Sequence, residues 1–317
     1  MTDRMDFIRE LKRLADQIPW GRVATVSDIS KALGDEATGP AVFRILRDAA
    51  IVGAHRVVRT SGHVPDPVFA TLLHAEGVRL VRGRVVQLMD RRVTDFHGSR
   101  PLASLREEQR RLAARVVTKD GFSSEETIAG FDLAYDREIG TAAAVVLSLA
   151  DGKTVQTARA QVRVRFPYIP GYLAYREFPG IKRCFALLDP KPDILMIDGH
   201  GILHPARFGT ASYVGVALNR STIGVAKRPY VGDVGPMPRE VGGITPVHLD
   251  GKLRGVGIRS SLSHRLIYVS VGHLISLNSA VRLTKLMCKT RIPEPLRQAH
   301  LLADRDKGNR RKSAKSG

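Results

Sequence analysis

Cysteine is almost missing from this chain: Cys184 and Cys288 are the only two in 317 residues. Two thiols build neither a disulfide framework nor a four-cysteine zinc site, and their scarcity points to a reducing compartment. Long apolar runs are missing too. The N-terminus, MTDRMDFIRELKR, has no apolar signal core, and no stretch approaches the ~20 residues that span a bilayer. A cytoplasmic protein with no membrane partner is expected. Acidic residues are scarce, with 31 Asp+Glu against 50 Lys+Arg and a net charge of +19. That excess argues for a polyanionic partner, because phosphate neutralisation drives nucleic-acid binding. It is uneven: residues 1–90 hold 13 basic and 11 acidic residues, or +2, so residues 91–317 carry +17. Apolar residues are plentiful at 43%, which supports a sizeable core and argues against global disorder. The length allows two domains.

Residues 1–90 read as short helices followed by a hairpin. Phe7, Ile8, Leu11, Leu14, Ala15 and Ile18 recur at helical spacing until Pro19. Ser27 is placed to cap a short helix that stops at Gly34, Pro40 to open a second, and Pro67 to open a third. Val78 to Val86 alternates around Arg82-Gly83-Arg84 as a hairpin does. Together these suggest a small winged-helix domain. Ile18-Pro19-Trp20-Gly21-Arg22-Val23-Ala24-Thr25 and Gly53-Ala54-His55-Arg56-Val57-Val58 resemble the C-terminal domain of alkylguanine-DNA alkyltransferases. In that family a cysteine before the His-Arg pair accepts the alkyl group. Here Ala54 stands in its place, leaving a degenerate site of Ala54, His55 and Arg56 with no thiolate nucleophile. Alkyltransferase-like sensors keep a tyrosine and an arginine where this chain has Val26 and Pro40, with Arg44 and Arg47 as the nearest substitutes. A DNA-docking wing or a scaffold is expected of this domain, rather than lesion reading.

Residues 91–101 are polar and read as a linker; Leu102 to Val117 reads as an amphipathic helix. Three strand-like runs, 127–135, 141–149 and 155–165, joined by short polar loops, predict an antiparallel meander. Tyr172 to Leu188 has helical content interrupted at Pro179-Gly180. Ile194-Leu195-Met196-Ile197 is a buried strand, followed by a small-residue helix over 209–218 and a strand over 221–227. Asp250-Gly251 predicts a hairpin between Val247–Leu249 and Leu253–Ile258. Another strand over 266–271 and a helix over 275–287 follow. The fold class is therefore α/β, a mixed sheet with flanking helices. Residues 304–317, with six basic and two acidic residues and no hydrophobic periodicity, are expected to be a disordered tail.

Three acids stand out. Asp198 ends the buried strand directly before Gly199-His200-Gly201, where a carboxylate packs poorly but can hold a hard cation; a simple turn cap is the alternative. Asp132 lies inside an apolar strand, where an unpaired carboxylate is costly. Glu177 follows Arg176 and could equally be a helix-surface acid.

The strings around these acids resemble endonuclease V. They are Phe131-Asp132-Leu133-Ala134-Tyr135, then residues 167–177 (PYIPGYLAYRE), residues 198–212 (DGHGILHPARFGTAS), residues 222–227 (TIGVAK) and residues 269–273 (VSVGH), in that order. The likeness spans about residues 102–303. It implies a ribonuclease H-like fold and a metal-dependent cut at the second phosphodiester 3′ of deoxyinosine and related deaminated bases. Asp132, Glu177 and Asp198 would be the Mg²⁺ ligands, with Mn²⁺ as a substitute. His273 would lie near the attacking water and Lys227 by the scissile phosphate. Tyr168, Ile169, Pro170 and Gly171 resemble the family's wedge, which parts the duplex. Leu173, Gly199 and Gly209 would line the base pocket, and His204 would help position the strand. Ala206 departs from relatives that carry a second arginine before the one matching Arg207. The resemblance implies a monomer acting on damaged DNA. Inosine-containing RNA is an alternative substrate, and an alkylated-DNA sensor with a binding-only nuclease half is a second alternative. His200 with His204 would instead suggest zinc, but no cysteine is near.

Overall fold

The computed structural model describes residues 7–49, 51–263 and 265–313, with side chains through residue 305. It divides into two units, residues 1–108 with 166–170, and residues 109–165 with 171–317.

In the first unit the apolar stripe of Phe7, Leu11 and Leu14 is buried on helix α1 (Phe7–Ala15). Strand β1 (Ala24–Thr25) leads straight into α2 (Val26–Leu33). The cap of α2 is Thr25, two residues earlier than the sequence suggests. Its hydroxyl accepts from the Asp28 amide, and the Asp28 carboxylate accepts from the Thr25 amide, so both exposed donors are satisfied. Gly34 closes the helix at φ 97°, a conformation glycine adopts without strain. Next come α3 (Gly39–Asp48) and β2 (Val57–Val58), which pairs in parallel with β1. Helix α4 (Pro67–Ala75) precedes the expected hairpin of β3 (Leu80–Val81) and β4 (Arg84–Val85). A short α5 (Leu88–Arg91) follows. Val23, Val58, Leu73, Val78 and Val85 form this unit's core. The polar stretch before α6 (Pro101–Ala113) is tied down: His97 and Gln17 exchange hydrogen bonds, and the Ser99 amide donates to Glu10.

The second unit is built on a nine-stranded sheet. Strands β5 (Thr127–Asp136), β6 (Ile139–Ser148) and β7 (Thr154–Arg163) form the predicted meander. Helix α7 (Leu173–Ala186) runs unbroken through Pro179. Burial of Ala174, Phe178, Ile181 and Cys184 outweighs the lost backbone bond, and Gly180 lets the helix approach Leu133 and Ala142. Then follow β8 (Ile194–Asp198), α8 (Thr210–Leu218), β9 (Ser221–Ala226), β10 (Asp233–Val234), β11 (Ile244–Leu249), β12 (Lys252–Ile258), β13 (Ile267–His273), α9 (Leu277–Leu286) and α10 (Glu294–Ser313). The sheet order is β10-β11-β12-β13-β9-β8-β5-β6-β7. Strand β8, inside the sheet, is parallel to both neighbours, β5 and β9.

Alternation along β8 explains its continuous apolar run. Leu195 and Ile197 face α7 and α8, while Ile194 and Met196 face α9 and α10. Helix α10 begins before the segment expected to be a disordered tail and continues through its first part. Leu296, Ala299 and Ala303 bury one face of it on the sheet. Residues 314–317 of that expected tail lie outside the described residues.

Candidate active site

Sheet register sets two of the three acids side by side. Phe131 of β5 pairs with Ile197 of β8, so Asp132, midway along β5, and Asp198, the last residue of β8, are the next pair on parallel strands roughly 4.8 Å apart. In open α/β sheets this edge is where ligands bind. Lys227 follows the last residue of β9, and its Nζ lies 2.5 Å from Asp198 Oδ2. Burial alone would lower this ammonium, but the charge and hydrogen bond of Asp198 outweigh it and raise its pKa. Glu177 comes from the second turn of α7. Burial first, then the negative charges of Asp198 and Asp132, push its carboxyl up to about 8, against the pull of Arg176. Asp132 is likewise raised, by burial and then by Asp198. The three acids thus share one underneutralised negative region.

The histidine beside this region is not the expected one. His273 pairs with Thr222, which pairs with Leu195, three residues before Asp198. At ~3.3 Å per residue its ring sits about 10 Å down the sheet from the carboxylates. It is buried, and its Nδ1 accepts the Val117 amide. The histidine at the carboxylates is His300 of α10, with Nδ1 2.6 Å from Asp132 Oδ2 and Nε2 3.6 Å from Asp304. Helical spacing carried a signal: His300 and Asp304 stand four apart on a segment whose Leu296, Ala299 and Ala303 mark the buried side.

Beside Asp198 opens a cavity of about 80 Å³, several times the roughly 10–15 Å³ that one water needs. Leu173, Gly199 and Gly209, the three residues expected at a base pocket, line it, together with Gly171 from the expected wedge and His204, expected to position the strand. Tyr230, which the sequence did not single out, joins them; its ring stands edge-on to His204 at 5.5 Å. His200 also lines it, with a buried Nδ1 that makes no hydrogen bond. Burial lowers the pKa of this ring, so it is held neutral. His204 is buried, its Nδ1 accepting the Ala206 amide.

The pocket glycines serve the fold first. A Cβ on Gly209 would lie 2.3 Å from the His200 carbonyl oxygen. The amides of Gly209 and Gly199 already donate to Gly201 and Val225. Their N–H groups are therefore engaged within the fold. The amide of Leu173 opens α7 and has no acceptor within the helix. Arg207 points to Asp250, 2.5 Å away. Tyr168, Ile169 and Pro170 belong to the first unit.

Ala54, His55 and Arg56 lie together within the first unit. Ala54 is buried; His55 Nε2 lies 2.7 Å from Glu76, which also takes a two-pronged ion pair from Arg56 and the Gly21 amide. Burial opposes the charge on Glu76, but Arg56, His55 and Gly21 outweigh it and hold the carboxyl down at about 2.

Adjacent carboxylates on parallel strands, beside a lysine and a histidine and next to a pocket larger than a water, are the arrangement of a metal-assisted hydrolytic site in an α/β protein. The comparisons with known proteins narrow this. The family model for endonuclease V matches residues 110–301. The endonuclease V of Roseiflexus castenholzii is 40% identical over 204 residues, covering 64% of this chain and 91% of that protein. Among solved structures, endonuclease V from Streptomyces avermitilis is 35% identical with a TM-score of 0.61, over 65% of this chain and 92% of its own. That of Ciona intestinalis, in complex with DNA containing an inosine followed by a ribo-adenosine, is 28% identical with a TM-score of 0.60, over 66% and 98%. This chain belongs to the endonuclease V family, whose members are metal-dependent nucleases.

Proposed function

We infer that this chain is a DNA repair endonuclease that nicks at the second phosphodiester 3′ of deoxyinosine and related deaminated bases. The observation that carries this is the pairing of Asp132 on β5 with Asp198 at the end of β8, with His300 on the first and Lys227 on the second. Among the described residues no three His, Cys, Asp or Glu side chains close into a ready-made metal cage. The donor chemistry nevertheless fits a hard cation. Its donors are carboxylate oxygens, and the burial and mutual repulsion that raise Asp132 and Glu177 are what such an ion offsets. Asp132, Glu177 and Asp198 would hold Mg²⁺, with Mn²⁺ as a substitute. When bound, the ion supplies a water of lowered pKa and offsets charge on the phosphate.

The chain's own residues supply the rest. Lys227 presents an ammonium to the phosphate once Asp198 has another counter-charge. His300 orients Asp132 through Nδ1 and can take the proton of the attacking water, or hand one to the leaving 3′ oxygen, at Nε2. The reaction leaves a 3′-hydroxyl and a 5′-phosphate. The cavity takes the flipped base: the Leu173 amide donates to its carbonyl, and the neutral His200 Nδ1 offers a second polar contact. Hypoxanthine presents a carbonyl acceptor where adenine presents an amine donor, so an N–H here discriminates between them. Tyr168 to Pro170, with Tyr168 about half exposed, act as the wedge that unstacks the lesion.

For residues 1–90 we propose an alkyltransferase-like fold that docks on DNA or serves as scaffold. The His55–Glu76 pair persists, but Ala54 supplies no nucleophile. A monomeric cytoplasmic enzyme completes the reading. Cys184 and Cys288 are both free, and no helix among the described residues is long and apolar enough to cross a membrane.

Nicking of labelled deoxyinosine DNA, inosine RNA and undamaged strands, each with Mg²⁺ and with EDTA, tests this. Mg²⁺-dependent cutting confined to deoxyinosine DNA supports it. Cutting of the RNA alone would transfer the function to RNA, and cutting in EDTA would remove the metal.

A further inference from the structure

Residues 166–170 belong to the first unit, although the chain on either side of them belongs to the second. Two contacts show why. The ring of Phe166 lies 5.8 Å from that of the buried Phe7. Arg44, on the exposed side of α3, donates from Nη2 to the Tyr168 carbonyl at 3.1 Å and lays its guanidinium 5.2 Å over the Tyr168 ring. Ile169 next to it is fully buried, while Gly171, already in the second unit, accepts at 2.7 Å from the buried Gln109. Phe166, Tyr168 and Ile169 are therefore held in place, and Tyr168 alone among the stretch's large apolar side chains stands 48% exposed.

We propose that Arg44 is a positioning residue for lesion recognition, holding the Tyr168 ring ready to part the duplex. This rests on the wedge reading of Tyr168 given above. A planar guanidinium can stack on the ring and hydrogen-bond the same residue's carbonyl at once, fixing backbone and side chain together; a lysine ammonium cannot match both. An unrestrained tyrosine on a surface loop must be ordered when it enters DNA, and a restrained one has met that cost in advance. The alkyltransferase resemblance left Arg44 and Arg47 as substitutes for an arginine that fills a flipped base's space. In the structure Arg47 is paired with Asp48, and Arg44 is committed to Tyr168. Helix α3 thus serves the nicking reaction without reading a lesion of its own.

The test uses the full chain with Arg44→Ala, Arg44→Lys, Tyr168→Ala and the double variant Arg44→Ala/Tyr168→Ala. Single-turnover nicking is measured on deoxyinosine in a duplex and in the same strand alone, because a wedge matters only where there is stacking to break. 2-Aminopurine beside the lesion reports unstacking by fluorescence. One exposed cation–ring contact and one hydrogen bond predict that Arg44→Ala lowers the duplex-to-single-strand rate ratio by about five- to tenfold, with a matching loss of fluorescence rise. Arg44→Lys recovers part of it. Adding Arg44→Ala to Tyr168→Ala costs less than about twofold more, since both act through one ring. A ratio unchanged by Arg44→Ala but lowered by Tyr168→Ala overturns the clamp and leaves the wedge. A ratio unchanged by both removes the wedge and the clamp together. Losses that multiply in the double variant place Arg44 elsewhere on the DNA and also overturn the proposal.

Discussion

Each titratable side chain at the site carries a distinct expectation. Replacing Asp132 or Asp198 by Asn removes charge with little change of shape, so nicking should vanish while circular dichroism stays native; a variant cutting at the parental rate leaves the site. The two histidines separate chemistry from packing. His300→Ala should slow nicking by about 10²- to 10⁴-fold, the usual worth of a general acid–base group. His273→Ala leaves the Val117 amide without its acceptor and should cost about 1–3 kcal/mol of stability in a denaturation curve, with nicking retained in the folded protein. The reverse pattern would return the role to His273. Glu76 sets an acid limit on the first unit. Its pKa falls from 4.5 unfolded to about 2 folded, so its stabilisation is complete above pH 4.5 and is lost as pH drops towards 2. That contribution is on the order of 3 kcal/mol. Unfolding followed by pH titration should show the slope, and Glu76→Gln should flatten it.

Between elements, the placing of α10 on β5 is the contact on which the acid cluster depends. A Cβ on Gly130 would meet the Pro295 carbonyl carbon at 2.2 Å, a backbone atom that cannot turn aside. Gly130→Ala should therefore cost at least about 1–3 kcal/mol and slow nicking as well, by moving His300 off Asp132. Full activity with wild-type melting would show that α10 can shift freely. This is also where the sequence was least legible. The meander, β8, α8, the Asp250-Gly251 hairpin and the acids on β5 and β8 could be read from alternation, apolar runs and turn residues, because those signals are local. Helix α10 was hidden by its charge: only Leu296, Ala299 and Ala303 mark its buried side amid basic residues. The fate of His273 was equally invisible, since it turns on how β13 is registered against β9, which no short string encodes. Pro179 looked like a break because propensity was weighed without the packing that carries α7 past it.

On the scale of the whole chain, charge and chemistry are unequally shared. With +17 of the net +19 in residues 91–317, binding to undamaged duplex should weaken steeply with salt, as released counterions require. A salt-insensitive affinity would mean that the basic surface does not meet phosphate. Residues 1–90 add little charge, and their assembled His55–Glu76 pair lacks a thiol partner. Ala54→Cys should not accept a methyl group from labelled methylguanine DNA, because a thiol cannot reach a base that remains stacked. Label on residue 54 would show that this domain still flips bases.

The central claim is that the paired acids of β5 and β8 cut DNA at a fixed distance from a deaminated base. Mapping the nick on an end-labelled duplex with one deoxyinosine, in Mg²⁺, tests it most directly. The account predicts one product, cut at the second phosphodiester 3′ of the lesion with a 3′-hydroxyl and a 5′-phosphate, and no product from Asp198→Asn. A cut at another bond, a cut that ignores the lesion, or the same product from Asp198→Asn would contradict it.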